Sequence, residues 1–368
     1  MPIELLDLRF GDRVMKSICV ALVTTASLLV WPAAAHHGPI GNPELYQAEN
    51  LVEFEGEITD VFWRNPHPRL RMRVVDDGGE ETIWELELDG SPISFARKDI
   101  TADDFAQVGD RVRVAGVVAL FENSSLGVLH YQRPDGQEYV FRNRELRWAD
   151  EQFAPVDRPL DPAKIAQARQ NATGIFRVWG GRSPDGAPPH PPLSSYEQYL
   201  TERARELAAS YNRATDDGEL DCRQGMPTTM FDPVPMEFVD EGERILIRVQ
   251  EYDVERVIYL NPDANAEEPE HTPLGYSLGR WEGDTLVVTT THVNWVQFDP
   301  YGTPQSDQTQ LLESFRFNAE DETLEYSLTA TDPVMFTEPL TFEKSRPWTP
   351  GIELQPFNCV ARWDEAAN

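Results

Sequence analysis

The chain has 368 residues, 40% of them apolar, and a formal net charge of −31 at pH 7. The apolar fraction is ample for packed cores, and the length suits two domains. So negative a chain repels phosphate backbones and anionic lipid, which excludes nucleic acid and an anionic membrane surface as partners and leaves small molecules open.

Residues 1–35 read as a secretory signal. Met15 and Lys16 open a basic segment, Ile18 to Trp31 is largely apolar, and Ala33-Ala34-Ala35 offers the small residues a signal peptidase reads. The apolar run is short for a membrane span, and polar, proline-rich sequence follows it. Met15 is the better start, with residues 1–14 as an upstream extension. Cleavage after Ala35 makes His36 the mature terminus and sends the protein to the periplasm or outside the cell. The charges before His36 cancel, so the mature chain keeps its whole net charge. Cys222 and Cys359 are then the remaining cysteines, and an even pair in an exported protein reads as a disulfide.

Residues 36–141 form the first expected domain. Val52, Phe54, Gly56 and Ile58 alternate with Glu53, Glu55 and Glu57, the period of a half-buried strand. Leu70–Val74 and Ile83–Leu88 repeat the pattern, with a hairpin signal at Asp76-Asp77-Gly78-Gly79. Residues 91–100 suit a short helix with Pro92 in its first turn. Strands near 111–120 and 126–132 follow, then a turn at Pro134-Asp135-Gly136. Five strands with a helix between the third and fourth is the order of an OB-type barrel.

Residues 142–220 form a linker rich in Pro, Asp and Arg. It holds a helix near 161–171 and a second one opened by a Ser194/Glu197 capping box, with Tyr196, Leu200, Ala204, Leu207 and Tyr211 on one face. Asp216-Asp217-Gly218 closes that helix. Residues 221–368 return to strands at 244–250, 254–260, 284–291, 311–317, 323–330 and 338–344. The expected fold is therefore mainly all-β: an OB-like five-stranded barrel, a helical linker, and a larger antiparallel barrel or sandwich clasped by Cys222–Cys359.

Several segments resemble an uncharacterised family of exported bacterial proteins. They are His36-His37-Gly38, Trp63-Arg64-Asn65-Pro66-His67, Trp84 with Glu87 and Ser91-Pro92, and Val108-Gly109-Asp110-Arg111-Val112. The second half resembles segments of the same proteins through Cys222-Arg223-Gln224-Gly225-Met226-Pro227, the stretch Gly275 to Val288 with its Trp281-Glu282-Gly283-Asp284, and Asp332 to Thr337. The resemblance implies export and a two-part layout, and it names no reaction.

Three functional readings follow. In the first, the α-amine and imidazole of an amino-terminal His36 chelate copper, with His37 adjacent, His67 as the remote ligand, and Glu87 orienting an imidazole. This would be copper handling or copper-dependent oxidation. In the second, the C-terminal domain binds a small molecule, or acts as a lyase or isomerase, in a cavity lined by Glu251, Trp281, His292 and Trp295. Against it stands a packing role for Trp281 at a turn and an ion pair between Glu251 and Arg256. The third is a non-catalytic envelope scaffold. There is no His-Glu-x-x-His sequence and no clustered zinc spacing.

Overall fold

Two β-sheets organise the protein, here a computed structural model described for residues 46–65, 67–76, 78–119, 124–141, 144–153, 159–216, 218–261 and 269–360. The first contains β1 (Tyr46–Phe62), β2 (Arg69–Val75), β3 (Glu81–Leu88), β4 (Arg111–Ala119), β5 (Ser125–Gln132) and β6 (Glu138–Val140). Its order is β3-β2-β1-β4-β5-β6, and a parallel β3–β5 pairing closes five of these strands into a barrel. Alternation does the folding work. Leu70 and Met72 point inward and are fully buried, as are Leu86 and Leu88. Outward neighbours pair by charge across strands, as Arg73 does with Glu57 at 2.9 Å.

Two short helices sit between β3 and β4. Ser91 caps α1 (Pro92–Ala96), and Thr101 with Asp104 forms a capping box on α2 (Ala102–Phe105). They seat Phe95 and Phe105 in the barrel, against Trp63, Tyr131 and Tyr139. The buried Glu138 carboxylate fastens the chain beyond β6. It meets His130 Nδ1 at 2.8 Å and accepts the backbone N–H groups of Arg147, Trp148 and Ala149. Burial alone would raise its pKa, but those donors hold it below the usual carboxylate value.

The linker carries α3 (Pro162–Asn171), capped by Asp161, where the sequence predicts a helix near 161–171. The second helix differs from expectation: α4 (Glu202–Ser210) is capped by Thr201, not Ser194. Leu193–Ser195 and Glu197–Tyr199 are single 3-10 turns, and Leu200 is extended and bridges to Phe336. Tertiary contacts override the local signal. The buried Tyr196 hydroxyl donates to Asp299, and Thr201 Oγ1 donates to Val334 O at 2.9 Å.

The second sheet runs in sequence order through β7 (Val178–Trp179), β8 (Met236–Asp240), β9 (Arg244–Val249), β10 (Val254–Tyr259), β11 (Tyr276–Glu282), β12 (Thr285–Thr291), β13 (Gln310–Asn318), β14 (Thr323–Thr331) and β15 (Leu340–Pro347). All neighbours are antiparallel except β10–β11. A bridge between Trp179 and Trp348 brings the edges together, so the unit is a nearly closed barrel rather than a sandwich. Its apolar filling includes Trp179, Phe238, Ile247, Leu286, Val288, Phe315 and Leu328.

Inside this filling lies a charged pair that the sequence reading missed. Arg256 is paired with Glu313, not with Glu251. Ser277, Thr290 and Tyr326 complete the network, the tyrosine donating to Glu313 Oε1 at 3.0 Å. Five successive strands thus contribute one polar residue each to a fully buried, hydrogen-bonded knot. Burial works against the Arg256 charge, yet Glu313 beside it raises the guanidinium pKa overall.

Candidate functional site

Near the seam where β15 approaches β7, two basic side chains hold a turn. Arg346 donates to the carbonyls of Met230 and Asp232 at 2.8 Å, Val234 at 3.0 Å and Gly180 at 3.2 Å. Lys344 Nζ donates to the carbonyls of Phe231 and of Pro189, the latter at 3.3 Å. These bonds satisfy carbonyls left over at the end of the helical turn Thr228–Phe231. His190 Nε2 and Asp232 Oδ1, both buried, meet 3.1 Å apart beside them. A cavity of about 990 Å³ lies here beneath loop 183–192, bordered by Phe231, Tyr326, Phe342 and Lys344.

Burial, aided by Arg346, pushes the Lys344 pKa down to about 5. The unfolded chain therefore binds one more proton than the folded chain between that value and the ordinary lysine pKa, and stability rises with pH through this window. In urea titrations between about pH 6 and 9, the parent should gain on the order of 1 kcal/mol per pH unit relative to Lys344→Met. Equal slopes for the two proteins would contradict an uncharged Lys344.

A different set of residues joins the two barrels. Asn65, directly after Trp63 and Arg64, is buried; its Nδ2 donates to Phe357 O, and its backbone bridges Cys359. Cys222 and Cys359 are linked, with Cα atoms 5.8 Å apart. Asp253, in the β9–β10 connection, accepts the backbone N–H groups of Phe357 at 2.9 Å and Asn358 at 3.3 Å. Left-handed backbone at Cys222, Tyr252, Asp253 and Asn358 clusters at this joint. Such conformations cost on the order of 1 kcal/mol each, and here the bridge and hydrogen bonds hold them. Segment 351–360 is thus a strap fixed to both barrels.

Between strap and first barrel opens a cleft of about 1070 Å³. Trp63, Arg64 and Asn65 form one wall, with Ile93, Ala96 and Arg97 of the α1 region beside them. Leu160, Asp161 and Lys164 come from the start of α3, and Ile352, Glu353 and Pro356 from the strap. Its volume and mixture of an aromatic wall, aliphatic patches and a few charges are those of a small-molecule site.

The residues singled out from sequence fall in several places. His36 and His37 lie outside the described residues. His67 Nδ1 is 3.1 Å from the Gly90 carbonyl, which can only accept a hydrogen bond. The β2–β3 register sets Glu87 opposite Arg69, two residues beyond His67. Among the described residues, no three His, Cys, Asp or Glu side chains are grouped to hold a metal.

The four residues expected around one C-terminal cavity are not brought together. Trp281 pairs with Leu286 near the β11–β12 turn, whereas His292 follows Thr291 at the other end of that hairpin. Trp281 is 42% exposed and so is not a core residue. His292 lies against His271, with ring centres 4.9 Å apart and the rings tilted by 59°. Trp295 packs so closely on Gly225 that any Cβ there would lie 2.3 Å from its ring. It thereby secures the Cys222–Pro227 segment. Glu251 is buried in the short turn before β10. The cleft between strap and first barrel was missed because its walls come from stretches nearly three hundred positions apart; the Trp63-Arg64-Asn65 run was its one visible sign.

No curated protein and no solved structure matches the chain. Residues 24–123, a stretch that includes Trp63-Arg64-Asn65 and α1, match the model of a family of unknown function, DUF6152.

Proposed function

We propose that this is an exported protein that binds a small molecule in the cleft between its first barrel and the carboxy-terminal strap. The observation that carries the reading is the cleft itself, about 1070 Å³ in volume, walled by Trp63 and by segments that the strap holds in place. The seam cavity is less suited, because Lys344, the buried basic side chain on its border, already donates to the carbonyls of Phe231 and Pro189. Export is supported by the signal-like amino terminus and by the Cys222–Cys359 link, which persists in an oxidising compartment. Copper at the amino terminus rests on the sequence alone, since His36 and His37 lie outside the described residues.

Ala96 is exposed on α1 and borders the cleft, so Ala96→Trp fills the space without entering the core. The fluorescent aromatic anion 1-anilinonaphthalene-8-sulfonate should bind the parent saturably, and Ala96→Trp should weaken it by roughly tenfold or more. Ala102→Trp, on the same wall, should act alike. Unchanged binding in both variants, each shown by circular dichroism to be folded, would place the probe elsewhere and overturn the proposal.

A further inference from the structure

We infer that the cleft selects an organic anion, its acidic group held by Arg64 and Arg97 and its apolar body lying against Trp63. This inference rests on the cleft being the ligand site and adds the chemical class of ligand.

The charges bordering the cleft are unequally engaged. Asp161 accepts the Ala163 N–H at 2.8 Å as the cap of α3. Lys164 and Glu353 pair with each other at 2.6 Å. Arg64 and Arg97, both exposed, have no carboxylate partner among the described residues. Many of the chain's other arginines are paired, among them Arg69, Arg73, Arg113, Arg169, Arg248 and Arg316.

Two guanidinium groups on the same wall offer planar forks that match a carboxylate, sulfonate or sulfate. Their weak hydration compared with an ammonium suits them to a site that must also desolvate an apolar body. That body would lie against Trp63, whose ring is already fixed by Phe95 and Phe105 at centroid distances of 4.9 and 5.6 Å, and against Ile93 and Ile352. A rigid aromatic surface adds contact area at little entropic cost. With the surface as a whole negative, two arginines without carboxylate partners among the described residues give this cleft a local positive charge.

The test compares 1-anilinonaphthalene-8-sulfonate with N-phenyl-1-naphthylamine, which has the same aromatic body and lacks the sulfonate. Arg64→Gln/Arg97→Gln should weaken the sulfonate by roughly tenfold and change the neutral probe by less than about twofold. Arg64→Lys/Arg97→Lys should recover part of the loss. 1-Naphthoate should displace the sulfonate probe, and inorganic phosphate at equal concentration should not. Because both arginines are exposed, circular dichroism should show the variants folded.

If Ala96→Trp blocks the sulfonate but the glutamine pair leaves the ratio of the two affinities unchanged, the cleft stands and the anion selectivity is wrong. Should Ala96→Trp and Ala102→Trp block neither probe, the cleft reading itself falls. Displacement by phosphate as effective as by 1-naphthoate would show that the apolar wall is unused, and would overturn the ligand class. Binding that appears only after deletion of residues 361–368 would make the cleft a seat for the chain's own end, with the same consequence.

Discussion

Replacing Glu313 with alanine should destabilise the protein by about 3–5 kcal/mol, the usual cost of leaving a buried charge without its partner. Arg256 would remain fully buried with only Ser277 and Thr290 as acceptors, and the Tyr326 hydroxyl would lose its acceptor as well. The pair need not be a net source of stability, since two desolvated ions can do little better than apolar residues of similar volume. The double substitution Arg256→Met/Glu313→Leu should therefore recover most of the loss. Urea denaturation of parent, single and double variants decides the matter. A Glu313→Ala protein within about 1 kcal/mol of the parent would mean that water or a rearranged side chain neutralises Arg256.

Removing the bridge should have an effect of comparable size. Cys222 and Cys359 are 137 positions apart, and the chain-entropy treatment of so long a loop gives about 5 kcal/mol as an upper figure. Cys222→Ser/Cys359→Ser should lower the urea midpoint accordingly. It should also weaken binding of 1-anilinonaphthalene-8-sulfonate under conditions where the variant remains folded. The reason is local: Cys359 bridges Asn65, and the strap that it anchors supplies Ile352, Glu353 and Pro356 to the cleft. Binding that survives in a folded, bridge-free variant would show that Asn65 and Asp253 position the strap unaided.

Much of the architecture was legible in the residues. The Val52–Ile58 alternation, the Asp76–Gly79 turn and Pro92 after Ser91 marked the first barrel in its observed order. The cysteine pair followed from counting once the amino-terminal segment with Cys19 was set aside. What escaped was short or dependent on distant partners. β7 has two residues and β6 three, too few to show a period. Without β7 the second sheet gives no hint of approaching closure. The Ser194/Glu197 pattern promised a helix start, but the pull of Asp299 on Tyr196 and of Phe336 on Leu200 moved it to Thr201.

The site was harder to read for the same reason. The sequence suggested an ion pair between Arg256 and Glu251, yet three strand pairings bring the arginine side chain to Glu313 instead. Asn65 looked like part of a metal-binding turn, and its observed contacts are to the far end of the chain. Some resembling segments have structural explanations. The Asp332 carboxylate accepts Ser306 N at 2.6 Å and Val334 N at 3.0 Å, and Gly283 turns β11 into β12 with a positive φ of 67°. Arg64 and Arg97 have no such structural task among the described contacts.

Hydrogen–deuterium exchange with and without saturating 1-anilinonaphthalene-8-sulfonate locates the ligand most directly. Binding in the cleft predicts slower exchange in peptides covering 92–102, 159–164 and 351–360, with loop 183–192 and β13–β15 unchanged. Protection confined to loop 183–192 and β13–β15, or protection nowhere, would contradict a ligand site between the first barrel and the strap.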